Sequence, residues 1–151
     1  MLYKTHVLFG VLVSLSVFQV FNIENKLLFV CVLCIATLFP DLDIPRGWLG
    51  KRTRPFSWII KLFFGHRGFL HTIYPAFFLF FLFSWFGQKV IGIAILLGYL
   101  THLFADCLTS EGVKLFHPLL STRIRGIIRV GGFMERIIIF VLLFLITILL
   151  I

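Results

Sequence analysis

The chain has 151 residues, 60% of them hydrophobic and 13% charged, with a mean hydropathy of +1.09 and a net charge of +8. Soluble domains carry roughly 25% charged residues, and a globule of this size leaves roughly a third of its potential surface in water. This composition, deepened by twenty phenylalanines, excludes a soluble enzyme, a disordered tail and a free nucleic-acid-binding domain. It predicts an all-α, polytopic membrane helical bundle, a single domain over residues 1–151 that makes no use of nucleic acid.

Five apolar stretches follow one another at about residues 7–21, 27–39, 69–86, 90–107 and 131–151. A span needs about 20 apolar residues, with ~17 as the usual minimum. The first, second and last reach across only if polar residues at their ends enter the membrane, which puts His6, Asp41 and Glu135 at or just inside the interface. The first stretch, with Lys4 before it, has the look of a secretory signal, but residues 19–26 offer no A-x-A-like cleavage site and four spans follow. A retained span is expected. Cys31 and Cys34 form a C-x-x-C inside the second stretch, with no strong thiolate-stabilising charge near them. They read as packing, and the odd third thiol, Cys107, argues against a disulfide framework.

Lysine and arginine set the expected orientation. With alternating spans, twelve of the fourteen basic residues fall on the face that holds the N-terminus, and only Lys26 and Lys89 on the other. By the positive-inside rule the N-terminus is cytosolic and the C-terminus lies on the far side of the cell inner or plasma membrane. Residues 51–64 mix basic and aromatic side chains, are too short to span and predict an interfacial amphipathic helix. Residues 121–130, with Arg123, Arg125 and Arg129, are a weaker version. Both act as anchors that gather anionic lipid.

The same face collects the ionisable residues. All three aspartates and four of the five histidines lie at the cytosolic ends of the spans. His6 opens the first, Asp41 and Asp43 close the second, His66 and His71 open the third, and His102 and Asp106 close the fourth. Charged groups in a bilayer cost at least ~2.5 kcal/mol on insertion scales and mark function or pairing. His102 and Asp106, at i and i+4, project from one helix face and can share a metal ion. Pro40 is expected to end the second helix and leave Asp41–Asp43 extended, with both carboxylates on one side. Gly68 lets His66 sit before the third helix and His71 in its first turns. Taken singly each residue has an ordinary explanation: His102 as a satisfied interfacial histidine, Asp41 or Asp43 as partners of Arg46 or Arg67. Taken together they favour a metal site. Imidazoles with carboxylates suit zinc, manganese or iron rather than calcium. Seven candidate ligands exceed one tetrahedral site and suggest two ions, a clamp suited to phosphoryl or acyl hydrolysis. His117, before Pro118, is open between ligand and bystander, and Glu24 and Glu135 read as surface or interface charges.

Four ordered motifs, Thr5-His6-x-x-x-Gly10, Phe39-Pro-Asp-Leu-Asp43, His66-Arg-Gly-x-x-His71 and His102-x-x-x-Asp106-x-x-Thr109-x-x-Gly112, resemble the YdjM-like family of LexA-regulated, membrane-bound, predicted metal-dependent hydrolases. The resemblance covers about residues 4–118 and implies a membrane metal hydrolase. The order of ligands is also similar to the zinc-dependent phospholipase C and nuclease superfamily. The chain lacks that superfamily's later histidine and H-x-x-x-E ligands, so a two-metal site is what carries over. The expected function is therefore hydrolysis at the cytosolic interface, with a lipid phosphate ester of anionic headgroup as substrate and zinc as the first choice of metal. In this reading Asp41 or Asp43 bridges metals or acts as base, Arg67 stabilises phosphoryl charge, and Thr109 and Glu111 orient ligands or substrate. A lipid amidase or esterase and a non-enzymatic metal-binding membrane protein are the alternatives.

Overall fold

A computed structural model describes residues 1–43 and 69–151, with the backbone alone at Asp43. His66, Arg67 and the interfacial segment expected at 51–64 lie outside the described residues. The described chain is a helical membrane bundle: α1 Tyr3–Val20, α2 Lys26–Ala36, α3 Tyr74–Trp85, α4 Lys89–Cys107 and α5 Phe133–Leu150. Two 3-10 turns, Phe39–Asp43 and Phe69–His71, complete it. Among the described residues β structure is confined to two isolated bridges, Thr109 with Ile128 and Val113 with Ile124.

α1, α4 and α5 are long and apolar enough to cross a membrane. α2 and α3 are shorter than the stretches 27–39 and 69–86 suggested, at 11 and 12 residues. At 1.5 Å per residue they reach about 17 Å, against ~30 Å of hydrocarbon. The missing residues went into the 3-10 turns. Pro40 has no N–H to continue the α-helical ladder, so the chain tightens instead: Leu38 N donates to Ile35 O at 3.0 Å and Asp41 N to Leu38 O at 3.2 Å. The extended backbone expected over Asp41–Asp43 is thus replaced by a tight turn. Likewise His71 belongs to a 3-10 turn ahead of α3, not to its first α-helical turns. Thr72 Oγ1 holds that turn through Phe69 O at 2.7 Å, and Tyr99 OH on α4 through Leu70 O at 2.5 Å.

α4 is the centre of the bundle and packs against α1, α2 and α3. Its small residues let the neighbours close in, as is usual where helices associate in lipid. A Cβ at Gly98 would overlap the Leu33 carbonyl oxygen and stand 2.8 Å from Ala36 Cβ. α5 lies against α1 through Leu142 and Ile146, and most of its other large apolar side chains face outward. The short links at residues 21–25 and 86–88 make α1/α2 and α3/α4 antiparallel hairpins. The start of α1, the end of α2, the turn before α3 and the end of α4 therefore share one end of the bundle. After α4 the chain folds back on itself: Ile128 N donates to Leu108 O at 3.1 Å and Gly126 N to Thr109 O at 2.9 Å. Gly112 has φ +61°, and a Cβ there would run into the Ile124 carbonyl, so only glycine closes this loop without strain.

Candidate metal centre

Four elements converge at that end, each with a short polar side chain aimed inward. α1 supplies His6, the first 3-10 turn Asp41, the second His71, and α4 His102 and Asp106 one helical turn apart. His6 and His102 have no exposed surface, and His71 and Asp106 are 1% exposed. The Asp41 side chain is at the rim, 18% exposed.

His102 shows how the geometry is held. Its Nδ1 lies 2.6 Å from Thr37 O, the backbone just past the end of α2. A carbonyl only accepts, so Nδ1 carries the proton and Nε2 presents its lone pair, the arrangement that a backbone carbonyl on the far nitrogen imposes on metal-binding imidazoles. Among the described residues that Nε2 is buried without a hydrogen-bond partner, as are both ring nitrogens of His6. His102 Nε2 stands 3.7 Å from Asp106 Oδ2 and 3.9 Å from Asp41 Oδ1. His71 Nε2 faces the same two oxygens at 3.8 and 4.0 Å. His6 Nε2 is 3.4 Å from Asp106 Oδ1, and its ring stacks on that of His102 with centroids 4.1 Å apart. The Met1 amino group donates to Asp106 Oδ1 at 2.5 Å.

These separations suit a metal. Zinc ligands at 2.0–2.2 Å in a tetrahedron stand roughly 3.4 Å from one another, and the observed gaps are a few tenths of an ångström wider. The ligand atoms of His6, Asp41 and His102 all lie within 4.8 Å of one another, and so do those of His71, His102 and Asp106. Orphaned buried nitrogens beside two carboxylates are costly on their own and satisfied by a divalent cation. Both groups draw on His102 Nε2, because Nδ1 is engaged. As full three-ligand sites the two positions therefore exclude each other, and a second ion would need further ligands. Burial pushes the Asp41 carboxyl above its usual range, Asp106 adds to this, and His6, His71 and the N-terminal ammonium oppose it.

Of the remaining candidates, Asp43 closes the first 3-10 turn, and His66 and Arg67 lie outside the described residues. Glu111 is exposed in the loop after α4, where its carbonyl accepts from Arg123 at 3.1 Å. His117 is exposed and in neither ligand group. Thr109 is buried beneath the site, donating to Asp106 O at 2.8 Å and accepting from Gly112 N at 3.3 Å, so it fixes the end of α4.

Glu135, read from sequence as a surface or interface charge, is fully buried. It accepts from Leu2 N at 2.7 Å, Thr5 Oγ1 at 2.8 Å and Gly131 N at 2.6 Å, and so ties the start of α5 to the turn of α1 that carries His6. Its place near the start of an apolar span was the available signal; two of its partners, Leu2 and Thr5, are 130 and more residues away in sequence.

Comparison with known proteins gives three relatives. Residues 1–151 match the family described as YdjM inner membrane protein. The inner membrane protein YdjM of Escherichia coli (strain K12) is 39% identical over 90 residues, 56% of this chain and 46% of that protein. The Shigella flexneri protein of the same name matches to the same extent. The chain thus spans about half the length of these two relatives. The uncharacterized protein YvsG of Bacillus subtilis (strain 168) is 25% identical over 137 residues, 89% of this chain and 85% of that one. No solved structure matches.

Proposed function

Since the chain belongs to the YdjM inner membrane protein family, we propose that its histidine–aspartate cluster is the metal centre of a membrane-embedded hydrolase that cleaves a phosphate ester of a lipid at the cytosolic interface. One observation carries the reading: His102 Nε2, buried and without a hydrogen-bond partner among the described residues, is held toward two carboxylates by its own Nδ1–H on Thr37 O. A satisfied structural histidine would spend both nitrogens.

His71, His102 and Asp106 would hold a divalent ion, zinc ahead of manganese or iron, with His6 and Asp41 the alternative partners of His102. Such an ion supplies Lewis acidity toward a phosphoryl oxygen and activates water as a nucleophile. The protein does the rest. Asp106, fixed on α4 by Thr109, is the rigid ligand. Asp41 stands at the more open rim, where its carboxylate can accept a proton from attacking water. Arg67 is the sequence candidate for neutralising the phosphoryl oxygens, and Asp43 and His66 for ligating a second ion. Glu111 lies in an exposed loop and suits contact with a headgroup better than ligation. The twelve-to-two bias of basic residues supports a cytosolic site that collects anionic lipid.

The test is elemental analysis of detergent-purified protein beside the His102→Ala/Asp106→Ala double variant, followed by a phospholipid panel. One or two equivalents of metal in the parent, lost from the folded variant, and metal-dependent release of phosphate support the reading. Release of fatty acid instead identifies the esterase or amidase, and metal without turnover leaves a binding protein. Absence of metal in both proteins after reconstitution refutes it.

A further inference from the structure

A second feature lies against the same centre. Between α2 and α3, with α4 as its floor, runs a groove of about 230 Å³ lined by Val32, Ile35, Phe39, Leu79, Ile95 and Tyr99, with Ala36 and Phe83 at its sides. Among the described residues no polar surface lines it. Such a groove offers nothing to a headgroup, a sugar or a peptide backbone, and only hydrocarbon loses nothing by entering it. Its mouth is at a helix surface that faces lipid: Ile35 is 66% exposed, and on α3 the neighbouring Phe78 and Phe81 are 66% and 64% exposed.

One end of the groove is formed by residues that neighbour the metal centre along the chain. Phe39, at its inner end, is two residues before Asp41 in the same 3-10 turn. The Tyr99 ring, which packs on Phe39 at 6.2 Å, is three residues before His102, and its hydroxyl holds the backbone at Leu70, next to His71. Over Val32–Ala36 the α2 wall covers about 6 Å along the helix axis, a fifth of the ~30 Å hydrocarbon thickness, and Phe39 carries it on into the 3-10 turn. A chain lying in it from the bilayer side ends beside the cluster.

We propose that this groove seats one fatty acyl chain of a membrane phospholipid and thereby delivers the lipid's phosphate to the metal centre. The inference rests on the lipid-hydrolase reading and narrows its substrate to molecules with a tail in α2/α3. Specificity then comes from two ends: carboxylates and imidazoles at the polar end, a narrow hydrocarbon slot at the other. The occupant is an acyl chain because that is the hydrocarbon the surrounding bilayer presents at the mouth; a branched prenyl chain is the competing occupant, and the test separates them.

The full chain, purified in dodecyl maltoside, is titrated with 1-palmitoyl-2-oleoylphosphatidylglycerol, with glycerol 3-phosphate and with a long-chain prenyl phosphate, and bound molecules are counted by native mass spectrometry. Leu79→Trp and Ile95→Phe fill the groove, Leu79→Ala widens it without a clash, and Phe144→Trp alters the exposed face of α5, away from the groove, as a control. The expected result is one tightly retained phospholipid in the parent and in Phe144→Trp. Its affinity falls about tenfold in each groove variant, the loss that a couple of buried methylenes produces. Equal retention in the filled and widened variants, or preferential retention of the prenyl phosphate, overturns the proposal. Metal content is measured on the same samples. Unchanged metal with unchanged lipid binding refutes the groove alone, and groove-dependent lipid binding in a protein that takes up no metal refutes the hydrolase reading alone.

Discussion

Replacing Glu135 by alanine takes the acceptor away from three donors at once. Thr5 Oγ1 is fully buried, and the Leu2 and Gly131 amides are partly buried. A buried donor left without a partner costs about 1–3 kcal/mol, and a partly buried one, which water can reach, about 1 kcal/mol. The sum for Glu135→Ala is about 3–5 kcal/mol. Glu135→Gln keeps one oxygen but turns an amide toward one of the former donors, and is expected to cost about 2 kcal/mol. Thr5→Val removes a single bond, for about 1 kcal/mol. Because Thr5 is next to His6, loosening this tie also frees the α1 ligand, so metal affinity falls together with stability. Reversible unfolding in mixed detergent and SDS micelles, read by tryptophan fluorescence, gives the free energies; a competitive zinc chelator gives the affinity. Coupling between Thr5→Val and Glu135→Ala in a double-mutant cycle isolates their shared bond. A loss below about 0.5 kcal/mol for Glu135→Ala, the range of ordinary surface substitutions, would refute the assignment of Glu135 as the tie between α1 and α5.

Gly98→Ala sets a gain of about 1 kcal/mol in helix propensity against a clash with the Leu33 carbonyl and a Cβ contact of 2.8 Å with Ala36. Carbon atoms prefer about 3.5–4.0 Å and backbone cannot swing aside, so the overpacking cost of about 1–3 kcal/mol prevails. The variant is expected to be less stable and, with Thr37 pushed off His102, weaker in metal binding; unchanged stability would show that α2 is not seated closely on α4. Holding the ion at a hundredfold over its Kd adds about 2.7 kcal/mol to the unfolding free energy, which chelation removes and zinc, but not calcium, restores. In a background free of native cysteine, the exposed Ser110→Cys is labelled by impermeant maleimide in inverted vesicles and Asn22→Cys in spheroplasts; the opposite pattern places the centre on the far side of the membrane.

What could be read without coordinates rests on solvent. Lipid and water sort side chains along the chain one segment at a time, so composition alone indicated a helical membrane protein, and the alternation of short links brought His6, Asp41, His71, His102 and Asp106 to one end. The i, i+4 spacing of His102 and Asp106 is likewise local, and both face the same cluster. Local rules failed where the backbone leaves regular geometry. Pro40 signalled the end of a helix, but the 3-10 turn that follows is stabilised by its packing under α4, and no pattern of apolar residues distinguishes it from an extended segment. The lengths of α2 and α3 were overestimated for the same reason: Phe39 and Phe69 are as apolar inside a turn as inside a span. The tautomer of His102, the burial of Glu135 and the apolar groove beside the cluster all depend on contacts between residues 65 or more apart or on space left between helices. Sequence by itself determined the solvent, the helices and the face on which the polar groups gather, because those follow from transfer free energies of short segments. Tertiary structure decided which nitrogens point inward, which carboxylate joins the histidine cluster and which ties two helices, because such separations are set to tenths of an ångström by helices that meet only once the chain has folded.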